Sequence, residues 1–409
     1  MNEVTTISVS KQTFMMESTT FKNVSYKNHS AQCKTISGLQ KTLWLFVIRC
    51  SLFGILLKAY KSPLNWYLGL RYLIQLRKKF LGNFKLKKMV KVDGKYYIGL
   101  YTPGYFDDNY RRFITSELNY FKPIKGAGLR FNHVHLAITH KCALQCDHCY
   151  TWDTLNQKDQ LDEEDLLKVI SRLQNMGTGQ IHLTGGEPLL KINLLINLLN
   201  KANKNSNIWI NTSGYRLTFS KAKQLKKAGL TGIFISLDHF DEEMHNSFRG
   251  FKHAYHWALE GAKNAIANNM VVAFSVCITN DFVSEENLMK YMLLAKNIGV
   301  HFVQYLEPKP VGHFEGRDVK LSDDNLKILE SFFVKMNYSN DFLDFPIISY
   351  HGYYQRRQGC FAGGNRSVYI DAKGNLNACN FCHTNSGNIL SKDFNLALAN
   401  LSKKGCSIY

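Results

Sequence analysis

The stretch ITHKCALQCDHCYTWD, residues 138–153, holds Cys142, Cys146 and Cys149 within eight consecutive positions. Thiolates gathered this closely in a large chain point to metal rather than to a disulfide framework, which belongs to small secreted domains. Two readings follow from the residues themselves. One is zinc in a Cys3His tetrahedron completed by His140 or His148. The other is a cubane iron–sulfur cluster with one iron left without a protein ligand. The loop alone does not choose between them.

Its surroundings narrow the choice. The stretch follows VHLAIT (134–139), the first of six short apolar runs, and the others are QIHLTGG (180–186), IWINTSG (208–214), IFISLD (233–238), VAFSVCI (272–278) and FVQYLE (302–307). Between them lie stretches with apolar residues at helical spacing. One is capped by Asp162 and stopped by Gly177, and another has Ser284 and Gly299 in the same roles. Short apolar strands alternating with helices predict an α/β fold with a parallel sheet, and six such units make a partial (βα)6 TIM-like barrel rather than a closed eight. Chemistry in such a sheet belongs at the C-terminal strand ends. TGGEP (184–188), NTSG (211–214) and SLDH (236–239) stand at three of those ends, and a structural zinc knuckle needs none of them.

Cys-x3-Cys-x2-Cys after the first strand with GGEP after the second resembles the radical S-adenosylmethionine (SAM) enzymes, over residues 133 to about 310. The resemblance implies that Cys142, Cys146 and Cys149 are the catalytic set and bind a 4Fe-4S cluster. Its open iron would chelate the amine and carboxylate of SAM, so that one electron releases a 5′-deoxyadenosyl radical. It also implies that His148 lies beside the adenine, where Tyr or Phe is commoner. Gly185, Gly186 and Glu187 would meet the methionyl amine, and Ser213, Ser236 and Asp238 would lie near the carboxylate or ribose. Arg249 is a candidate partner for the SAM carboxylate, with a helix-surface salt bridge as the alternative. Cys277 reads as a buried apolar residue or as a thiol returning a hydrogen atom, and Glu307-Pro308 as pocket wall or strand-terminating turn.

A second cysteine set follows. SVYIDAKGNLNAC (367–379) reads as a hairpin around Ala372–Gly374 that delivers Cys379 opposite Cys360, with Cys382 close behind. This is similar to the Twitch tail, the shortened form of SPASM. It implies a second, auxiliary 4Fe-4S cluster on Cys360, Cys379, Cys382 and Cys406, with zinc as the rival metal. HGYYQRRQG (351–359) reads as a solvated basic loop or as a contact for an anionic or peptide substrate.

The formal charge of +19 is concentrated near the N-terminus, where residues 41–95 carry many lysines and arginines against the single acid Asp93. That excess suits an anionic surface. No nucleic-acid recognition motif accompanies it, so nucleic acid is not an expected partner. The run LWLFVIRCSLFGILLKAY (43–60) falls short of a bilayer span and carries Arg49 near its middle. With a second helix starting at Ser62-Pro63, it suits either the plane of a membrane interface or a cap on the main domain. Asp93-Gly94 marks a β-hairpin turn.

The expected organisation is a flexible tail (1–40), a basic amphipathic helical and hairpin extension (41–130), a radical SAM core (131–312) and a linker helix with the Twitch-like region (313–409). No signal peptide opens the sequence, which together with the clustered thiols predicts a reducing cytoplasm, with the basic region a candidate for the inner face of the cell membrane. The function expected is hydrogen-atom abstraction from an unidentified substrate, peptide or membrane-associated, with a reductant such as flavodoxin or ferredoxin. The alternative is a non-catalytic iron–sulfur or zinc-binding protein.

Overall fold

The computed structural model describes residues 35–127, 131–360 and 363–404; Cys406 and the tail through residue 34 lie outside them. Structure begins earlier than the expected boundary at residue 41, because β1 (Thr35–Ile36) pairs antiparallel with β2 (Met89–Val92).

The extension continues with α1 (Gly38–Ala59), α2 (Pro63–Leu81), β3 (Lys95–Tyr97) and α3 (Asp108–Phe121). The helix α1 takes in Gly38–Thr42 ahead of the apolar run and reaches 22 residues. At about 1.5 Å per residue it is, by length and composition, long enough to cross a membrane, which corrects the expectation that it falls short. One side of it is spent on packing: Ile48, Ile55 and Leu56 are buried against Ile114 and Leu118 of α3. The β2–β3 hairpin turns on Asp93-Gly94 as expected, in register Val90↔Tyr97 and Val92↔Lys95.

The core alternates strictly. It runs β4 (His133–Ala137), α4 (Glu163–Asn175), β5 (Gln180–Thr184), α5 (Ile192–Lys201), β6 (Asn207–Thr212) and α6 (Phe219–Ala228). Then come β7 (Gly232–Ser236), α7 (Glu242–Arg249), α8 (Ala254–Ala267), β8 (Val271–Cys277), α9 (Glu285–Ile298) and β9 (Phe302–Leu306). Helix α4 shows why these segments fold locally. The Asp162 carboxylate accepts from Asp165 N–H, three acids fill the first turn and Arg172 sits in the last, each favourable to the helix dipole. Leu166, Val169, Ile170 and Leu173 form its buried face.

The C-terminal part adds α10 (Asp323–Tyr338), β10 (Ile347–Tyr350), α11 (His351–Gln358), β11 (Ser367–Ile370), β12 (Leu376–Asn377) and α12 (Phe394–Lys404). The main sheet has the order β10-β9-β8-β7-β6-β5-β4-β11-β12. The six expected strands are its centre, and β10 and β11 extend it in parallel on either side. β12 returns antiparallel to β11 through the expected hairpin, in register Tyr369↔Asn377. Among the described residues β10 and β12 do not pair with each other, so the barrel is open on that side.

The outward residues of the strands, such as Leu136, Ile181, Ile210, Ile235 and Phe274, pack with the surrounding helices in the main core. Inside, Val90, Val92, Tyr97 and Leu100 from the extension pack against Trp209, Phe234, Val271, Phe302 and Ile347. Most of these stand at the starts of their strands, so the hairpin plugs the N-terminal mouth of the barrel. The extension also fastens to both sides of the opening. Lys88 Nζ donates to the carbonyls of Phe342, Phe345 and Pro346 at 2.7, 2.8 and 3.2 Å, just before β10. On the other side, the buried Glu117 of α3 pairs with Arg366 at 3.1 Å, next to β11.

Candidate active site at the C-terminal strand ends

Parallel register brings the ends of β4 to β9 abreast: Ala137 faces Thr184, Ser236 faces Ser275 and Cys277 faces Leu306. The loop leaving β4 carries Cys142, Cys146 and Cys149, and its shape is set by backbone contacts to three neighbouring elements.

The first is the segment after β5. Gly186 N–H donates to the Thr139 carbonyl and Glu187 N–H to the Lys141 carbonyl, both at 2.8 Å. A Cβ at Gly185 would lie 2.3 Å from the Thr139 oxygen, and one at Gly186 would lie 2.2 Å from the Lys141 oxygen. The two glycines therefore admit the cysteine loop's own backbone. Gly185, Gly186 and Glu187 also line the cavity described below, and the N–H groups of Gly186 and Glu187 are engaged by the cysteine loop. Gly186→Ala is expected to cost about 1–3 kcal/mol and to lower iron uptake by the reconstituted protein, read as iron per chain beside a urea unfolding midpoint.

Glu187 is a brace. Its buried carboxylate accepts from Thr212 Oγ1, from Ser213 N and Oγ at 2.8 and 2.6 Å, and from Leu189 N at 2.9 Å. Burial raises its pKa despite these bonds. The Ser213 hydroxyl is thus committed to Glu187, although Ser213 still lines the cavity described below.

The second contact comes from α7. Gln145 N–H donates to the Arg249 carbonyl and Asp147 N–H to the Phe248 carbonyl. Arg249 is buried rather than at the helix surface, and it lines the cavity described below. Its Nε donates to Asp238 Oδ2 at 2.5 Å and its Nη1 points to Cys146 Sγ at 3.6 Å. The pair is almost wholly buried, with side chains 8% and 4% exposed. Asp238 also accepts from Cys277 N–H at 2.9 Å. Burial alone would raise its pKa, and the Arg249 guanidinium more than offsets that, holding it below the usual carboxylate range. His148 stacks on Phe248 at 5.0 Å, and burial lowers its pKa to about 4, so it is a neutral imidazole.

The third contact is His313 in the loop after β9, a residue the sequence did not single out. Its N–H donates to the Cys149 carbonyl, and its ring stacks on Trp152 at 3.9 Å. Its Nδ1 lies 3.1 Å from the Cys146 carbonyl. Burial pushes the Cys142 thiol up to about 12 and raises that of Cys146, with Arg249 opposing the second shift. Thiols so placed are protonated until a metal displaces the proton.

These residues open on one cavity of about 1540 Å3. Cys142, Cys146, Cys149 and His148 line its upper wall, with Thr184, Ser213, Ser236, Asp238 and Cys277 from the strand ends. His140, the other imidazole weighed for zinc, does not line it. Among the described residues no three Cys, His, Asp or Glu side chains close around a single ion. His148 Nδ1 and Asn211 Oδ1 are buried polar atoms with no hydrogen-bond partner. Such atoms on a cavity wall fit a polar ligand.

Below lies a layer that sequence reasoning missed. His133 and His135 of β4, Asn211 of β6, Gln304 of β9, His351 of α11 and Tyr101 line the cavity floor. His182 abuts it, 4.8 Å from His135. Gln304 donates to Tyr101 OH at 2.6 Å, and burial lowers His135 and His351 to about 4. The alternation His133-x-His135 was visible in the sequence, as was His182 two residues into β5, but which strand face looks inward was not.

The auxiliary set is drawn together only in part. Cys360 follows α11, and its Sγ accepts from Gly363 N–H at 3.3 Å. Ala378 O accepts from Gly364 N–H, which brings Cys379 near Cys360, and both line the cavity. Cys382 pairs backbone-to-backbone with Cys379 but is packed in the main core. Phe381 of this segment meets Tyr150 of the first cysteine loop at 6.1 Å. The stretch expected as a basic loop is helical: Arg356 is paired with Glu307 and Glu330, and Arg357 with Glu330. Glu307 lines the cavity while accepting from Tyr350 OH at 2.7 Å.

Residues 136–292 match the Radical SAM superfamily. The GTP 3′,8-cyclase of Aliarcobacter butzleri is 28% identical over 193 residues, 45% of this chain and 58% of that one. The GTP 3′,8-cyclase of Clostridium perfringens is 28% identical over 209 residues, 50% of this chain and 62% of that one. The chain thus spans less than two thirds of the length of these relatives. Among solved structures, Streptococcus suis SuiB bound to its precursor peptide SuiA superposes with a TM-score of 0.55 at 12% identity. That superposition covers 84% of this chain and 79% of SuiB. The same protein bound to S-adenosylmethionine gives 0.54 at 14%, covering 74% of each chain.

Proposed function

We propose that this chain, whose residues 136–292 belong to the radical SAM superfamily, is an enzyme that cleaves SAM reductively and abstracts a hydrogen atom from a substrate held in its cavity. Cys142, Cys146 and Cys149 would hold a 4Fe-4S cluster. When bound, that cluster with SAM supplies one-electron cleavage of the sulfonium and a hydrogen-abstracting radical. The observation that carries the reading is the meeting of three cysteine thiols and five consecutive strand ends on one cavity wall.

The chain's own residues have separable tasks. Gly185, Gly186 and Glu187 fix the backbone of the cysteine loop and tie it to Thr212 and Ser213. Asp238 and Arg249 hold α7 against that loop, with the guanidinium toward the Cys146 sulfur. His148, neutral and with an unpartnered Nδ1, would offer a polar ring atom and a flat ring to the adenine. Ser236 faces the cavity beside them. Cys277 lines the wall within the same layer, where a thiol can return a hydrogen atom.

Cys360, Cys379 and Cys382 would hold an auxiliary cluster, with Cys406 as its further ligand, and a low-potential donor such as flavodoxin or ferredoxin would supply the electron. The GTP named for the cyclase relatives is not carried over, because the cavity wall given by α1 and α2 is largely aliphatic.

The test is 5′-deoxyadenosine formation by the anaerobically reconstituted, dithionite-reduced chain with SAM. A Cys360/Cys379/Cys382→Ala variant is expected to lose about four irons per chain while still cleaving SAM. Loss of SAM cleavage together with unchanged iron would contradict the division of roles between the two cysteine sets.

A further inference from the structure

The cavity extends well beyond the cysteine loop. Its volume of about 1540 Å3 exceeds the roughly 300–1,000 Å3 of ordinary small-molecule sites. The extra arm runs out through the open side of the barrel, where Ile348 of β10 and Val368 of β11 share its wall with α1 and α2. There the lining is aliphatic: Leu45, Ile48 and Leu52 from α1 face Leu70, Leu73 and Leu76 from α2. The spacing keeps one face of each helix turned to the arm.

The arm reaches the surface at a distinctive place. Phe53 and Ile74 line it and are also 49% and 47% exposed, so they form its rim. Arg49 and Arg77 line the same rim, and both are exposed. Phe53 further belongs to an exposed apolar row on α1 with Leu39, Leu43, Phe46 and Leu57, spaced at helical intervals. Water-exposed apolar rows of this kind mark interaction surfaces. This one sits within the most basic part of the chain, residues 41–95, with the single acid Asp93. An apolar row edged by cations complements the interior and headgroups of an anionic bilayer.

We propose that the rim rests on an anionic membrane and that the arm between α1 and α2 takes the apolar chain of a membrane amphiphile with an anionic head, presenting it to the cavity below the cysteine loop. That this amphiphile is the substrate rests on the radical SAM reading; that the arm binds it does not. A bilayer-facing rim lets the chain slide in sideways without crossing water. Arg49 and Arg77 then meet the head group.

The experiment uses the full chain without SAM or reductant. Its binding to a nitrobenzoxadiazole-labelled dodecanoic acid is read by fluorescence, and its sedimentation is compared with phosphatidylglycerol and phosphatidylcholine vesicles. The expected result is saturable one-to-one binding of the probe and preferential binding to phosphatidylglycerol. Leu52→Trp/Leu73→Trp, which fills the arm, is expected to weaken probe binding at least about tenfold, or roughly 1.4 kcal/mol. Phe53→Ser/Ile74→Ser changes only rim side chains and keeps the test alive if the filled variant does not fold; it is expected to weaken both readouts. No saturable binding by the wild type, or binding unchanged in a folded filled variant and in the rim variant, would overturn the proposal. So would equal sedimentation with both vesicles. 5′-Deoxyadenosine formation by the same preparation separates the two readings. SAM cleavage without probe binding strikes the amphiphile alone, and probe binding without SAM cleavage strikes the enzyme alone.

Discussion

Replacing Cys142, Cys146 and Cys149 together by alanine is expected to remove about four irons per chain and to bring 5′-deoxyadenosine formation to background. The loss should be chemical and not a failure to fold. The three residues sit in a loop whose shape is set by backbone bonds to Phe248, Arg249 and His313 and by the packing of Gly185 and Gly186. Their side chains belong to a small cluster with Leu144 and Ala254, separate from the main core. The unfolding midpoint of the metal-free variant should therefore stay near that of the metal-free parent, while the loaded forms diverge because metal binding contributes to folding. Iron retained at the parental level would show that the metal lies elsewhere.

The second large effect is expected at Asp238 and Arg249. Removing one partner of a buried ion pair leaves the other charge without compensation, at a cost of about 3–5 kcal/mol. Asp238→Ala should reach that range, because Arg249 then keeps only the Cys146 sulfur beside it. Asp238→Leu/Arg249→Met should recover much of the stability, since an apolar pair can replace a buried ionic one. It should not recover cluster loading to the same degree, because the contact from α7 to Cys146 is gone. Urea unfolding midpoints and iron per chain, measured on the same three proteins, separate the two contributions. Equal stability of Asp238→Ala and the double variant would mean that the pair is not desolvated.

The centre of the sheet was legible because each strand is short, apolar and bounded by capped helices; Asp162, Ser284 and Gly299 stand where their chemistry placed them. β10 and β11 were not legible as sheet members. Ile347–Tyr350 is only four residues, and the arm Ser367–Ile370 reads as half of a hairpin, while its parallel pairing with β4 spans more than two hundred residues. Nothing local in a sequence records such a partner. The length of α1 was missed for a simpler reason: Gly38, Gln40, Lys41 and Thr42 are polar or small, and only the fold shows that they continue the helix.

Around the site, residue types pointed to the right strand ends but not to the direction of each side chain. GGEP was read as a ligand contact; its two glycines and Glu187 line the cavity and also admit the backbone of the cysteine loop, a packing role that the motif did not announce. Arg249 was weighed as a ligand contact or a surface residue; it is not at the surface but buried between Asp238 and Cys146 on the cavity wall. Both packing roles concern contacts that become visible only when segments distant in sequence meet. The histidine layer formed by His133, His135 and His182 was hidden because alternation in a strand does not say which face is the lumen.

The most direct measurement is electron paramagnetic resonance of the Cys360/Cys379/Cys382→Ala variant, reduced anaerobically and recorded before and after SAM carrying carbon-13 in its carboxylate. With the auxiliary cysteines gone, any cluster signal belongs to Cys142, Cys146 and Cys149. The expected result is a reduced 4Fe-4S signal that shifts on SAM addition and gains a carbon-13 coupling, showing the carboxylate on the open iron. A cluster signal that SAM leaves unchanged, or no cluster signal at all, would contradict SAM binding at that site.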